Sequence, residues 1–221
     1  MTELVPAILT NDLSDFRKKY AELFALGQHF KKLHIDFADG KFVKNETVMP
    51  ADLAFLKDSP FELMAHFMTK SPQKYFQAAR DAGFTWVLFH FEAMENELEV
   101  TATSTIAKTM GLKVGLVINP DTSLPRIGKF ITQFDMIQLM GIHPGFQGRE
   151  FIPETIDRIK ELRALSKNVI IAVDGGIKVG IAKQVAEAGA DIIVAGSAIL
   201  KTEDEQAAIE ALKQDLETKW T

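Results

Sequence analysis

Eight short apolar runs, rich in Val, Ile, Leu and Phe, punctuate the chain at intervals that leave room for a helix between each pair. They are VPAIL (5–9), KLHID (32–36), FELMAHF (61–67), WVLFHF (86–91), KVGLVIN (113–119), MIQLMGI (136–142), VIIAVD (169–174) and DIIVAG (191–196). Near-continuous hydrophobic runs of this length are what a strand covered on both faces requires, so each predicts a strand of a parallel sheet. Between them the apolar period changes. In Asp12 to Leu26, Leu13, Phe16, Tyr20, Leu23 and Phe24 form one helical face, and in Pro153 to Leu165, Ile156, Ile159, Leu162 and Leu165 do the same. Every spacer is long enough for a crossover helix and none has the composition of a flexible linker.

Eight strands alternating with helices predict an α/β protein, a single (β/α)8 TIM barrel over residues 1–221. An open doubly wound sheet shares the local alternation. No Gly-x-Gly-x-x-Gly follows the first run, however, and a dinucleotide-binding sheet needs that turn for close approach of the pyrophosphate.

The polar residues that interrupt these runs carry the chemistry. His34, Asp36, His66, His90, His143 and Asp174 all fall in or just after the strand-like segments, toward the carboxyl ends, where a barrel gathers its catalytic groups. His34 and Asp36 are two apart, so on a strand they project from the same face. With His66 and Asp174 from later strands they make two imidazoles and two carboxylates, a donor set suited to Zn, Fe, Mn or Co. One divalent metal ion per subunit is expected.

Composition narrows the alternatives. A chain of 221 residues, 47% hydrophobic and 25% charged, can bury a substantial core. Its net charge of -5 gives no basic footprint, and the one local cluster, Arg17, Lys18 and Lys19, reads as a solvated helix face, so no nucleic-acid partner is expected. With no cysteine there are neither disulfides nor thiolate ligands, which leaves His, Asp and Glu to hold a metal. No apolar run reaches the roughly 18 residues of a membrane span and no signal-peptide pattern opens the chain. A cytoplasmic protein with no membrane partner is expected, acting as a homo-oligomer.

The segments PAILTNDL (6–13), HIDFADGKFVKN (34–45), HFM (66–68), FHFEA (89–93), INPDTS (118–123), MGIHPGFQGREFIP (140–153), VDGGI (173–177) and AGSAI (195–199) follow one another in the order of a known family. Along nearly its whole length the chain resembles the ribulose-phosphate 3-epimerases. The resemblance implies a metal-dependent barrel enzyme that inverts carbon 3 of a small phosphorylated sugar, D-ribulose 5-phosphate to D-xylulose 5-phosphate. It places His34, Asp36, His66 and Asp174 on the family's metal ligands. Asp36 and Asp174 would also be the two acid/base groups that exchange protons on opposite faces of an enediolate.

Met68 and Met140 match methionines beside the reacting carbon, and His66 faces the substrate as well. Glycine turns supply a phosphate site: Gly145, Phe146 and Gly148 in one loop, Gly175 and Gly176 in a second, Gly196 and Ser197 in a third. His90 reads as a hydrogen-bond partner or a substrate contact and not as a ligand, and Asp39-Gly40 as a structural turn.

The chain departs from the family pattern at four positions: Ala7 for a serine, Ala38 for a methionine, Gln147 for a glycine, and His143 where relatives carry Asn, Asp or Glu. These changes bear on substrate shape. They leave a hexulose-6-phosphate 3-epimerase, or a degenerate barrel that binds a phosphosugar without turnover, as the alternatives.

Overall fold

The computed structural model describes residues 2–146 and 148–217. Its eight strands are β1 (Glu3–Ile8), β2 (Lys32–Ala38), β3 (Glu62–Met68), β4 (Phe84–His90), β5 (Lys113–Ile118), β6 (Met136–Met140), β7 (Ile170–Asp174) and β8 (Ile192–Ala195). Each pairs in parallel with its neighbour in sequence, and β8 closes on β1. All eight predicted strands are present.

Alternation along each strand sorts the side chains into two apolar populations. Leu33, Ile35 and Phe37 of β2, Leu63, Ala65 and Phe67 of β3, and Ile137 and Leu139 of β6 point outward into the layer between sheet and helices. Their neighbours point inward. Val5, Met64, Leu88, Val117, Met136 and Ala172 fill the barrel itself. Gly115 belongs to the inner set because a Cβ there would lie 2.9 Å from Cγ of Leu88. At the amino-terminal end the barrel is closed by ion pairs: Lys32 to Glu3 at 2.6 Å and Lys113 to Glu62 at 2.8 Å, with the Trp86 indole donating to Glu62 at 2.7 Å. The opposite end is left to function.

The outer layer comprises α1 (Leu13–Ala25), α2 (Phe76–Asp81), α3 (Glu97–Thr109), α4 (Thr155–Leu165), α5 (Ile181–Glu187), α6 (Ser197–Leu200) and α7 (Glu205–Glu217). Asp12 caps α1 by accepting from the Asp15 amide at 2.7 Å, and Asn96 caps α3 by accepting from Glu99 at 3.0 Å. Two crossovers differ from the expected helices. Between β2 and β3, and again between β5 and β6, the chain forms 3-10 helices, Pro50–Leu56 and Leu124–Phe130. Each carries a proline in its first turn, and a non-helical Leu53 interrupts the first of them further, so regular α-helix does not propagate.

The predicted helical faces are also narrower than expected. Phe16 and Leu23 are fully buried, whereas Leu13 and Phe24 on α1 and Leu165 on α4 are exposed. Tyr20, between Phe16 and Leu23 on the same face, is half-buried against the core. Phe24 instead packs edge-on against Phe61, 6.2 Å between ring centres. Among the described residues no helix is long and apolar enough to cross a membrane.

Candidate metal centre and active-site cavity

The inward positions nearest the carboxyl ends of β2, β3 and β7 bring His34, Asp36, His66 and Asp174 together. One donor atom from each lies within 4.8 Å of all the others. Register makes this possible. Asp36 pairs with His66 across β2 and β3, and Met140 with Asp174 across β6 and β7, so residues distant in sequence share one level of the barrel. His66 Nδ1 lies 2.7 Å from Asp36 Oδ1 and 3.5 Å from Asp174 Oδ2, and His34 Nε2 lies 4.0 Å from Asp174 Oδ2.

Electrostatics suit this cluster to a cation. Burial pushes the Asp36 carboxyl up to about 6, with the nearby His34 and His90 acting the other way. Burial, reinforced by the Asp36 charge, raises Asp174 well above the usual carboxylate range. Burial also lowers His34 to about 4, only partly opposed by Asp36, and drives His66 well below the ordinary imidazole value. Burial thus works against charge on all four side chains, and a cation held among them would offset that cost at the two acids. His34 Nδ1 is in addition a buried nitrogen with no hydrogen-bond partner. Two neutral imidazoles and two carboxylates this close fit one divalent metal ion.

Gln138 completes the cluster and escaped the sequence reading. Its amide donates to Asp174 Oδ2 at 3.2 Å, while its oxygen lies 3.3 Å from His34 Nε2. A polar residue inside MIQLM, two before Met140 and hence on the same inward face, was the available signal.

Above the cluster opens a small cavity at the mouth of the barrel. Asp36, His66 and Asp174 form part of its floor, with Met68 and Met140 on its walls. Gly145, Phe146, Gly148, Gly175, Gly176, Gly196 and Ser197 form its rim, so the three glycine loops converge as expected. Ile142, Ile177 and Leu9 add apolar lining that the sequence did not single out. Gln147 lies outside the described residues.

The loops are held in shape by specific contacts. The Asn45 side chain donates to the Gly145 carbonyl at 2.8 Å, and the Gly141 amide to the Asp174 carbonyl at 2.7 Å. Gly176 has a φ of +73° and presses against the next loop: a Cβ there would lie 2.7 Å from the Phe151 Cα. Gly176→Ala is therefore expected to cost at least about 1–3 kcal/mol from the left-handed backbone alone. For a chain of this size, that corresponds to a fall in Tm of roughly 2–4 °C per kcal/mol, read by thermal unfolding. An unchanged Tm would show that the loop relaxes freely.

The remaining sequence candidates occupy other places. Ala7 lines the cavity, whereas Ala38 is buried in register with Met68 and is not among the described lining residues. His143 stands half-exposed beyond β6, 3.6 Å from Asp121. Asp39 serves its turn: it accepts from the Lys41 amide at 3.1 Å, and Gly40 has a φ of +72°.

His90 is fully buried behind the centre, its Nε2 2.9 Å from His66 Nε2 and its Nδ1 3.5 Å from Glu92 Oε2. It is thus a hydrogen-bond partner of a candidate ligand. Burial would raise the Glu92 carboxyl. The neighbouring His90, with Thr122 and the Asn119 amide, acts the other way, and together they hold Glu92 below the usual range.

Comparison with known proteins agrees with this geometry. The model of the ribulose-phosphate 3 epimerase family matches residues 3–200. A ribulose-phosphate 3-epimerase from Aquifex aeolicus is 34% identical over 218 residues, covering 96% of each chain. One from Escherichia coli K12 is also 34% identical, over 221 residues, covering 96% of this chain and 95% of the relative. Among solved structures, 3-hexulose-6-phosphate synthase from Salmonella typhimurium superimposes with a TM-score of 0.70 at 21% identity, covering 97% of this chain and 98% of that one. A likeness at that identity speaks to the fold alone.

Proposed function

The chain belongs to the ribulose-phosphate 3-epimerase family and is an epimerase acting on carbohydrates; from that premise we propose that it inverts carbon 3 of D-ribulose 5-phosphate, giving D-xylulose 5-phosphate. The observation that carries this reading is the pairing of Asp36 and Asp174, two buried carboxylates from opposite parts of the barrel, on the floor of one glycine-rimmed cavity.

Inversion beside a ketone needs a proton taken from one face of carbon 3 and another delivered to the opposite face. Asp36 and Asp174 are the two groups, one acting as base while the other acts as acid, with roles exchanged in the reverse direction. His34, Asp36, His66 and Asp174 would hold a divalent metal, Zn, Fe, Mn or Co, which when bound supplies Lewis-acid stabilisation of the negative charge that develops during proton removal.

Gln138 restrains both His34 and Asp174 through its amide, so ligand and acid/base group keep their places together. Met68 and Met140 shield the reacting carbon from water. Backbone amides of Gly145, Phe146, Gly148, Gly175, Gly176, Gly196 and Ser197 receive the phosphate, at the end of the barrel where such sites commonly form. The substrate is thereby anchored at one end and processed at the other.

The test is an assay of epimerisation and carbon-3 hydrogen exchange on ribulose 5-phosphate and a panel of hexulose 6-phosphates, with metal content measured in parallel. Failure to epimerise ribulose 5-phosphate would sink the substrate assignment. Exchange with none of the panel would leave a binding protein. Ala7→Ser sharpens the choice, because Ala7 lines the cavity and a hydroxyl there can partner a substrate oxygen. The regained hydrogen bond is worth roughly 0.5–1.5 kcal/mol, so kcat/KM for ribulose 5-phosphate should rise about 2- to 12-fold. A gain for a hexulose 6-phosphate instead would transfer the assignment to that sugar.

A further inference from the structure

We propose that Glu92, acting through His90, sets the proton order of a buried relay and so holds His66 in the tautomer whose Nδ1 is free to bind a metal. Glu92 and His90 are then positioning residues for the metal centre. The inference rests on the reading of His66 as a ligand.

Two imidazole nitrogens 2.9 Å apart, in rings fully buried from solvent, need one proton between them: one donates and the other accepts. Two orders satisfy that requirement. In the first, His90 Nδ1–H faces Glu92 Oε2, His90 Nε2 accepts and His66 Nε2–H donates. His66 Nδ1 is then a bare lone pair, 2.7 Å from Asp36 Oδ1 within the ligand cluster. In the second, every proton moves one place along. His66 Nδ1 carries a hydrogen that blocks it as a ligand, and His90 Nδ1 turns a lone pair toward a carboxylate. The first order turns His66 Nδ1 and Asp36 Oδ1 as two lone pairs toward the place of a shared cation, whereas the second sets two acceptors, His90 Nδ1 and Glu92 Oε2, face to face outside the ligand cluster.

Glu92 can impose this choice because its own orientation is determined. Oε1 accepts from the Asn119 backbone amide at 2.8 Å and from the Thr122 hydroxyl, and Arg158 donates to the Thr122 carbonyl at 2.7 Å. Oε2 is consequently the atom left to face His90. His90 Nδ1 and Glu92 Oε2 are both buried and without a hydrogen-bond partner among the described residues, and at 3.5 Å each has the other to face. The His90 ring is itself held between His66 and Phe42, at 5.1 and 4.8 Å between ring centres. A ring so confined transmits the preference of one neighbour to the other.

Glu92→Gln tests the relay without changing its shape. The Asn119 amide can bond only to an oxygen, so the carboxamide must keep its oxygen there and turn its NH2 toward His90 Nδ1. That donor reverses the order, sending the His90 proton to Nε2 and forcing the His66 proton onto Nδ1.

Affinity for Zn²⁺, measured by competition with a chelator, should fall about 10- to 100-fold while the circular dichroism of the barrel is unchanged. In a His90→Phe background the same substitution should have no further effect, since the connection is cut. In the Zn²⁺-loaded wild-type protein, nitrogen-15 spectra of the histidine rings should show hydrogens on His66 Nε2 and His90 Nδ1, a readout that stands even if a variant fails to fold. Wild-type affinity in Glu92→Gln, an equal loss in both backgrounds, or a hydrogen on His90 Nε2 would each overturn the relay alone. A wild-type chain that takes up no Zn²⁺ would overturn the metal reading, and the relay with it.

Discussion

Asp36→Asn and Asp174→Asn should each lower kcat for carbon-3 epimerisation by about 10²- to 10⁴-fold, the range for loss of a positioned acid or base. Asparagine keeps the size of the side chain and an oxygen for its neighbours, including the Gln138 amide that donates to Asp174, but it carries no proton at the required point. Because both residues also belong to the candidate ligand cluster, lost turnover must be read beside metal content. Hydrogen exchange separates the two roles. A variant that retains metal and one working carboxylate should still exchange the carbon-3 hydrogen of one epimer with solvent, yet fail to convert it to the other. Near-normal epimerisation by either variant would remove that residue from the mechanism.

His66→Ala is expected to weaken Zn²⁺ binding by more than the roughly 10- to 100-fold typical of losing an outer-shell partner, and to abolish turnover in parallel. His66 is fully buried, but its neighbours at that level are polar, and the outward β3 residues Leu63, Ala65 and Phe67 keep their places in the main core. The barrel should therefore persist, with circular dichroism close to wild type. Stripping the wild-type protein with a chelator should reproduce the loss of turnover, and restoring a divalent metal should reverse it in the wild type well before it does so in the variant. Full activity after complete stripping would sink the metal-dependent reading.

These expectations reach into the sequence to different depths. The pair His34 and Asp36 could be read directly, since a strand repeats every two residues and the pair stands in a run whose other members, Leu33, Ile35 and Phe37, are apolar. The same logic makes Gln138 visible beside Met140, although an isolated amide in a strand carries no chemistry until its partners are known. The glycine loops were equally plain as turns, but that Gly145, Gly175 and Gly196 rim one cavity depends on the barrel closing. The 3-10 crossovers escaped because their apolar spacing suits a helix, while Pro50 and Pro125 act against it locally.

By itself, then, the order of residues determined which segments become strands, which polar side chains face the barrel interior, and which donor types were available for a metal, because all three follow from local periodicity and composition. The tertiary structure alone decided distances. Placing His66 beside Asp36 required the register of β2 on β3; placing Asp174 within reach of both required β7 to come round the closed sheet; and the contact of His66 with His90 required β4 to lie against β3. Register and closure arise from many backbone pairings and packed side chains acting together, and no short stretch of sequence contains that information.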